Sequence, residues 1–148
     1  MKFLLENEQA TVDFGAKLAE FIPEKGIVFL HGPLGAGKTT LVRGLLQSSG
    51  HKGSTKSPTY TLVEPYQING KKFYHFDLYR LSDGEELEYM GFRDYLDENC
   101  LCLIEWPEKG GVFLPKADLE IYLSYQGEQR SIKLTANNPQ WQELVDRL

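Results

Sequence analysis

The sequence predicts an α/β fold, because strand-like and helix-like segments alternate along the chain. Two short apolar runs, Gly26 to Leu30 and Leu101 to Ile104, are typical of strands that are buried on both faces. Between them, Lys38 to Ser49 carries leucines at helical spacing and directly follows a glycine-rich loop. A length of 148 residues suits one compact domain, so we expect residues 1–148 to form a single domain.

The elements before residue 60 follow from periodicity and from helix-ending residues. Residues 2–6 fit a short edge strand, and Thr11 to Ile22 fits an amphipathic helix that Pro23 ends. Gly50 is placed to end the helix that begins at Lys38. Residues 51–59 are polar and small, which indicates a loop that changes conformation when a ligand binds.

The rest of the chain predicts two antiparallel strand pairs and three further helices. Asn69-Gly70, a dipeptide typical of tight turns, separates the first pair of strands, and Gly127 separates the second. The predicted strands are Tyr60 to Tyr66, Lys72 to Leu78, Leu119 to Tyr125 and Ser131 to Ala136. The predicted helices begin near Glu85, span Phe92 to Leu96, and follow Pro139.

Composition limits the classes of partner and the cellular location. A net charge of −5 argues against broad electrostatic binding to nucleic acid, so we expect any contact with RNA to run through partner proteins. The apolar runs are too short to span a membrane, and the N-terminus lacks a secretory signal, so a cytoplasmic location is expected. Cys100 and Cys102 alternate within an apolar strand, which predicts a buried structural role for both thiols.

Residues 32–39, Gly-Pro-Leu-Gly-Ala-Gly-Lys-Thr, match the phosphate-binding P-loop pattern between a predicted strand and a predicted helix. Glycines allow the backbone to curl so that N–H groups surround phosphate oxygens at the positive end of the helix. Lys38 would reach the β- and γ-phosphates, Thr39 would offer its hydroxyl to Mg²⁺, and Thr40 would line the same site. The loop therefore predicts a site for ATP and Mg²⁺, lined by Gly32, Leu34, Gly35, Ala36, Gly37, Lys38, Thr39 and Thr40.

Two carboxylates are candidates for the chemistry on the phosphate. Glu105 ends the second apolar strand, where a carboxylate can complete the Mg²⁺ coordination. Asp77 could hold the water shell of the metal or activate the attacking water, although a structural ion pair with Arg80 is the alternative. Trp106 could equally cover the site or belong to the core. His75 is expected to pack within the hairpin, and the other histidines, His31 and His51, are expected to be ordinary surface residues.

Four motifs together resemble the TsaE family of ATPases, also known as YjeE. They are Leu-Gly-Ala-Gly-Lys-Thr-Thr from residue 34, Ser-Pro-Thr-Tyr from residue 57, His-Phe-Asp-Leu-Tyr-Arg-Leu from residue 75 and Ile-Glu-Trp-Pro-Glu from residue 104. The last three are specific to the family, and the resemblance extends from Glu8 to Arg130. One departure is Pro33, where the family commonly has an acidic residue, and this puts the hydrolysis rate in question.

The resemblance implies a P-loop NTPase fold with a mostly parallel sheet extended by antiparallel strands. It implies weak ATP hydrolysis that depends on the TsaB and TsaD proteins, in the modification of the tRNA adenosine next to the anticodon to threonylcarbamoyladenosine. Lys38, Asp77 and Glu105 would be catalytic, and Thr39 and Glu105 would hold Mg²⁺. It also places Glu8, Thr11 and Arg130 near the nucleotide, and it makes a switch loop of Ser57, Pro58, Thr59 and Tyr60.

Two other functions remain open from the residues alone. A small-molecule kinase would use the same phosphate and metal ligands, but no arginine-rich closing segment follows Glu105. A nucleotide-gated binding module would use ATP only to set the conformation of residues 51–60 for a partner. GTP is disfavoured, because the chain has no Asn-Lys-x-Asp guanine motif.

Overall fold

The computed structural model describes residues 1–148 and contains one seven-stranded mixed sheet with helices packed against it. The strands are β1 (Lys2–Leu5), β2 (Gly26–His31), β3 (Val63–Ile68), β4 (Lys71–Asp77), β5 (Leu101–Glu105), β6 (Leu119–Gln126) and β7 (Gln129–Ala136). The helices are α1 (Glu8–Phe21), α2 (Lys38–Ser48), α3 (Glu86–Tyr89), α4 (Phe92–Asp97) and α5 (Pro139–Asp146). The predicted α/β class is confirmed.

The strand order is β1-β7-β6-β2-β5-β4-β3, with a parallel centre and antiparallel edges. Strands β6, β2, β5 and β4 run parallel to one another. At one edge β7 and β1 pair antiparallel, and at the other edge β3 pairs antiparallel with β4 across the Asn69-Gly70 turn. Both predicted hairpins are therefore confirmed, and the glycine loop that follows β2 lies at the centre of the sheet.

Each face of the sheet has its own apolar core. A cluster of 21 buried residues joins α1, α2 and α5 to one face, and a cluster of nine joins α3 and α4 to the other. Helices α1 and α2 pack so closely at Gly44 that no side chain would fit there: an added Cβ would lie 2.2 Å from the carbonyl oxygen of Val12. This close contact fixes α2, and with it the loop at its N-terminus, against α1.

The two largest differences from the predicted element boundaries are the starts of α1 and β3. Helix α1 begins at Glu8 rather than Thr11, because the Asn7 side chain accepts a hydrogen bond from the Ala10 N–H at 2.8 Å and caps it. Strand β3 begins only at Val63, so the predicted start at Tyr60 was wrong. Leu62 has a positive φ of 67°, and its N–H bonds the Pro58 carbonyl, which makes a turn there.

The helix predicted near Glu85 is confirmed as the single turn α3, which ends before Gly91, a residue in the left-handed conformation. None of the five helices combines the length and the apolar character that crossing a bilayer would require.

Candidate functional site

The candidate site lies at the carboxyl ends of the parallel strands, where open α/β sheets place their ligand sites. Strand β2 leads into the glycine loop, β5 ends at Glu105 and β4 ends at Asp77. Because β4 and β5 pair in parallel with Asp77 opposite Glu105, the two carboxylates are neighbours at this edge. A cleft of about 270 Å³ lies between them and the N-terminus of α2.

The N-terminus of α2 is left open for an anion. Asn7 and Asn138 cap α1 and α5 with side-chain hydrogen bonds, whereas the residue at the same position of α2 is Gly37, which supplies none. Gly37 has a φ of 107°, a conformation that other residues rarely adopt. Around this N-terminus, the backbone N–H groups of Gly35, Gly37, Lys38, Thr39 and Thr40 make no hydrogen bond within the protein.

Lys38 is buried at the centre of this loop and is held by two neighbours. Its ammonium donates to the Gly32 carbonyl at 2.6 Å and lies 3.6 Å from the centroid of the Trp106 ring. Burial lowers the pKa of the Lys38 ammonium, and the opposing attraction of Glu105 and Asp77 favours its charged form. Trp106 thus lines the cleft and also packs against the smaller apolar cluster, so both interpretations left open by the sequence hold.

Thr39, Glu105 and His75 form a connected group beside Lys38. The Thr39 hydroxyl donates to Glu105 Oε2 at 2.9 Å, and His75 Nε2 lies 2.6 Å from the same oxygen. Glu105 is 3% exposed and His75 is fully buried. His75 packs within the hairpin as expected, since it is fully buried in β4, and its ring also contacts Glu105, a predicted metal ligand.

Asp77 forms hydrogen bonds with the predicted switch loop and does not pair with Arg80. Its Oδ2 accepts hydrogen bonds from the hydroxyls of Ser57 and Thr59, the latter at 3.2 Å, and its Oδ1 accepts one from the Tyr79 N–H. Arg80 instead lies over the Tyr60 ring, 4.4 Å from its centroid. The alternative of an Asp77–Arg80 ion pair is therefore wrong.

A second cleft of about 230 Å³ shares the loop residues Gly35, Gly37 and Thr40 with the first. Its other lining residues include Glu8, Thr11 and Arg130, the three residues that the resemblance placed near the nucleotide. Arg130 stacks on the Tyr125 ring at 4.3 Å, while Glu8 forms an ion pair with Arg43 at 2.7 Å. The two clefts thus lie on either side of one glycine loop.

Most of the predicted site residues meet at these two clefts, but some do not. Leu34 lines the first cleft and Ala36 lines the second. Gly32 contributes the carbonyl oxygen that accepts a hydrogen bond from Lys38. Of the predicted switch residues, Ser57 and Thr59 line the cleft, whereas Tyr60 is 83% exposed and Pro58 lines a separate groove. Pro33 is exposed and lines neither cleft.

The remaining histidine and cysteine predictions have mixed outcomes. His31 has a carboxylate partner, Glu120, at 3.0 Å, and it stacks on Tyr122, so it is not the unpartnered surface histidine that the sequence suggested. Cys100 and Cys102 are buried with their sulfurs 3.7 Å apart, and burial raises the pKa of both thiols. The predicted structural role of the cysteines fits this geometry.

The donor atoms present fit a nucleotide phosphate chain with Mg²⁺. Unpaired N–H groups and a buried ammonium suit phosphate oxygens, and a hydroxyl paired with a carboxylate suits a hard cation. No three His, Cys, Asp or Glu side chains gather as a chelating cluster. An ion at Thr39 and Glu105 would therefore take its other ligands from water and phosphate, as Mg²⁺ commonly does.

Sequence reasoning missed His75 and Tyr125 among the residues of the site. Tyr125 donates its hydroxyl to the Leu34 carbonyl and supports Arg130, so it connects β6 to the glycine loop. Strand alternation could have identified His75, because residues 75 and 77 share a face of β4. Nothing in the local sequence around Tyr125 indicates its contact with a loop about 90 residues earlier.

Comparisons with known proteins agree with this geometry. The family model described as "Threonylcarbamoyl adenosine biosynthesis protein TsaE" matches residues 5–132. The tRNA threonylcarbamoyladenosine biosynthesis protein TsaE of Haemophilus influenzae is 55% identical over 137 residues, which cover 89% of this chain and 87% of that protein. The protein of the same name from Bacillus subtilis is 31% identical over 149 residues, covering 100% of this chain and 93% of that one.

A solved structure supports the same assignment. The crystal structure of YdiB from Bacillus subtilis superposes with a TM-score of 0.83 and 27% identity, and it covers 99% of this chain and 92% of that one. The family model and the relatives span most of the chain, and the fold agrees with the solved structure. The resemblance is therefore confirmed, and the chain belongs to the TsaE family.

Proposed function

We propose that this chain is a magnesium-dependent ATPase that supports threonylcarbamoyladenosine modification of tRNA in the cytoplasm, together with the TsaB and TsaD proteins. The observation that carries the proposal is the convergence of Lys38, Thr39, Asp77 and Glu105 on one cleft beside the glycine loop. The tRNA role rests on family membership, because the relatives from Haemophilus influenzae and Bacillus subtilis carry the name tRNA threonylcarbamoyladenosine biosynthesis protein TsaE.

The loop and α2 would bind the phosphates of ATP. Unpaired N–H groups and the positive end of the helix attract the phosphate charge, and Lys38 would leave the Gly32 carbonyl to donate to phosphate oxygens. The second cleft, with Glu8, Thr11 and Arg130, would receive the nucleoside end.

Thr39 and Glu105 would hold the metal. When bound, Mg²⁺ neutralises charge on the phosphate oxygens. Glu105 is already oriented by two hydrogen bonds and is removed from bulk water, so little reorganisation is needed before it can act.

Asp77 would orient the attacking water and accept its proton. Its Oδ2 is occupied by the hydroxyls of Ser57 and Thr59, so these must move away before that oxygen can accept a hydrogen bond from water. A partner that displaces the loop would therefore raise the rate, and the chain alone would hydrolyse ATP weakly.

The same contact supports a second candidate, the nucleotide-gated binding module. Because Asp77 lies beside the phosphate cleft and bonds the switch loop, a bound nucleotide can shift the loop even without hydrolysis. In that case ATP would set the loop conformation for a partner, and turnover would be incidental.

Phosphate release from MgATP distinguishes the two candidates. The wild type and Asp77→Asn are assayed with and without TsaB, TsaD and substrate tRNA, and Asp97→Asn serves as a matched control at an exposed carboxylate. We expect partner-stimulated release in the wild type and the control, and a loss of about 10²–10⁴-fold in Asp77→Asn, the usual contribution of a general base.

Nucleotide binding is measured in the same samples by calorimetry. Binding that persists in Asp77→Asn while release disappears supports the ATPase. Partner binding that depends on ATP in a wild type that releases no phosphate would overturn the ATPase and favour the binding module.

A further inference from the structure

His75 lies within an otherwise apolar layer. On its face of the sheet, β4 and β5 contribute Phe73, Leu101 and Leu103, all members of the larger apolar cluster. Parallel pairing sets His75 beside Leu103, and the next pair on the same face is Asp77 with Glu105. Burying an imidazole costs free energy that burying a leucine would not, so another interaction of His75 must offset this cost.

The hydrogen bond between His75 and Glu105 is that interaction. His75 Nε2 lies 2.6 Å from Glu105 Oε2, and because a carboxylate oxygen accepts hydrogen bonds, Nε2 is the donor of this pair. The other ring nitrogen, Nδ1, is buried and has no hydrogen-bond partner. The contact with Glu105 is therefore the one hydrogen bond that the His75 ring makes within the protein.

Both hydrogen bonds converge on the same oxygen of Glu105. Thr39 and His75 donate to Oε2, and Oε1 accepts no hydrogen bond from the protein. The two donors come from different elements, α2 and β4, so together they fix the carboxylate relative to the helix and the sheet. A carboxylate held through one oxygen presents the other in a defined direction.

We propose that His75 is a positioning residue that clamps Glu105 through Oε2 and keeps Oε1 available for the metal and its water. The inference rests on the proposed function, because it assigns His75 to the magnesium site of that ATPase. Partners that orient a metal-binding carboxylate commonly change metal affinity or activity by about 10–100-fold when they are replaced. His75 acts through Glu105 and need not touch the nucleotide.

The test compares nucleotide binding with and without metal, since this readout does not depend on turnover. Calorimetry gives the Kd of a non-hydrolysable ATP analogue in Mg²⁺ and in EDTA, and the ratio of the two measures the metal contribution. The variants are His75→Leu, which removes the donor, and His75→Gln, which can place an amide N–H near the position of Nε2. Phe73→Leu, a buried change on the same strand face, controls for lost packing.

We expect His75→Leu to reduce the metal contribution by about 10-fold or more, the usual size for such partners, with the Kd in EDTA unchanged within about 2-fold. His75→Gln should restore most of the metal contribution, and Phe73→Leu should retain it. For ATP hydrolysis at saturating Mg²⁺, His75→Leu should lower kcat by a larger factor than the factor by which it changes KM. A wild-type metal contribution in His75→Leu would overturn the inference, as would an equal loss in His75→Gln or in Phe73→Leu.

Folding of each variant is checked by thermal melting. If His75→Leu does not fold, His75→Asn replaces it, because its shorter amide cannot reach Oε2. Loss of folding in both would overturn the inference by making His75 a residue of core stability. A wild type that binds no nucleotide would overturn the proposed function itself, whereas a failure confined to the His75 variants would leave that function standing.

Discussion

The two faces of strands β4 and β5 are buried to the same degree but differ in chemistry. On one face Tyr74, Phe76, Cys102 and Ile104 belong to the smaller apolar cluster with α3 and α4. On the other face the residues are apolar at the start of the strands and become polar at their carboxyl ends, where His75, Asp77 and Glu105 lie. Alternate residues of one strand thus serve either packing or the site.

This difference explains how a buried site stays rigid. The apolar face holds the strands in register, so the carboxylates of Asp77 and Glu105 on the opposite face keep their spacing. The carboxylates of Glu105 and Asp77 lie where the N-terminus of α2 and the switch loop supply hydrogen-bond donors for them. Substitutions on the two faces should therefore separate stability from activity.

The largest effect is expected on the apolar face. Phe76 is fully buried and packs edge-to-face against Phe92, with ring centroids 5.1 Å apart. Phe76→Ala should lower the free energy of unfolding by about 3–5 kcal/mol, because it removes buried area and leaves a cavity. Urea unfolding measures this loss, and Val112→Ala, at a highly exposed position, should change it by less than about 0.5 kcal/mol.

The folded fraction of Phe76→Ala should bind nucleotide with wild-type affinity, since the residue faces away from the cleft. Weakened binding in samples shown to be folded would contradict the division between the two faces.

The next effect is expected on the polar face. Glu105→Gln keeps the size of the side chain but removes its charge, so Mg²⁺-dependent hydrolysis should fall by about 10²-fold while nucleotide binding in EDTA remains. Phosphate release and calorimetry measure the two quantities, and Glu86→Gln, at an exposed position, is the matched control. Wild-type hydrolysis by Glu105→Gln would remove Glu105 from the metal site.

Much of this arrangement could be predicted from the sequence, because it depends on local patterns. The glycine loop, α2 and both carboxylates follow from the P-loop spacing and from the ends of short apolar strands. Even the buried state of Cys100 and Cys102 follows from alternation with apolar neighbours.

The rest depends on contacts between residues that are distant in the sequence. His75 and Glu105 are 30 residues apart, and Ser57 and Asp77 are 20 apart, so no local pattern shows either hydrogen bond. The sequence also suggested a strand from Tyr60, because aromatic and β-branched residues favour strands. The turn at Leu62 prevails there, since it brings Thr59 to Asp77.

The smallest effect concerns the thiols of the apolar face and their dependence on pH. Burial raises the pKa of Cys102 above its ordinary value of 9.0 in the folded protein. As pH rises above 9, the unfolded chain loses the thiol proton while the folded chain keeps it, so the unfolded state is favoured. The free energy of unfolding should then fall by up to about 1.4 kcal/mol per pH unit for this thiol.

Urea unfolding at pH 8, 9 and 10 in the presence of a reductant checks this decrease, and Cys102→Ala should show a shallower one than the wild type. Cys100 contributes in the same direction, because burial also raises its thiol pKa, so the variant should keep part of the slope. Tyr74, on the same face, has a raised pKa because its hydroxyl hydrogen-bonds Glu98. It lowers the free energy of unfolding further only when the pH approaches 10.0, the ordinary pKa at which the phenol of the unfolded chain ionises. If the free energy of unfolding of Cys102→Ala depended on pH as steeply as that of the wild type, water would have to reach this thiol. That result would contradict the close packing of Phe76 and Ile104 on the apolar face.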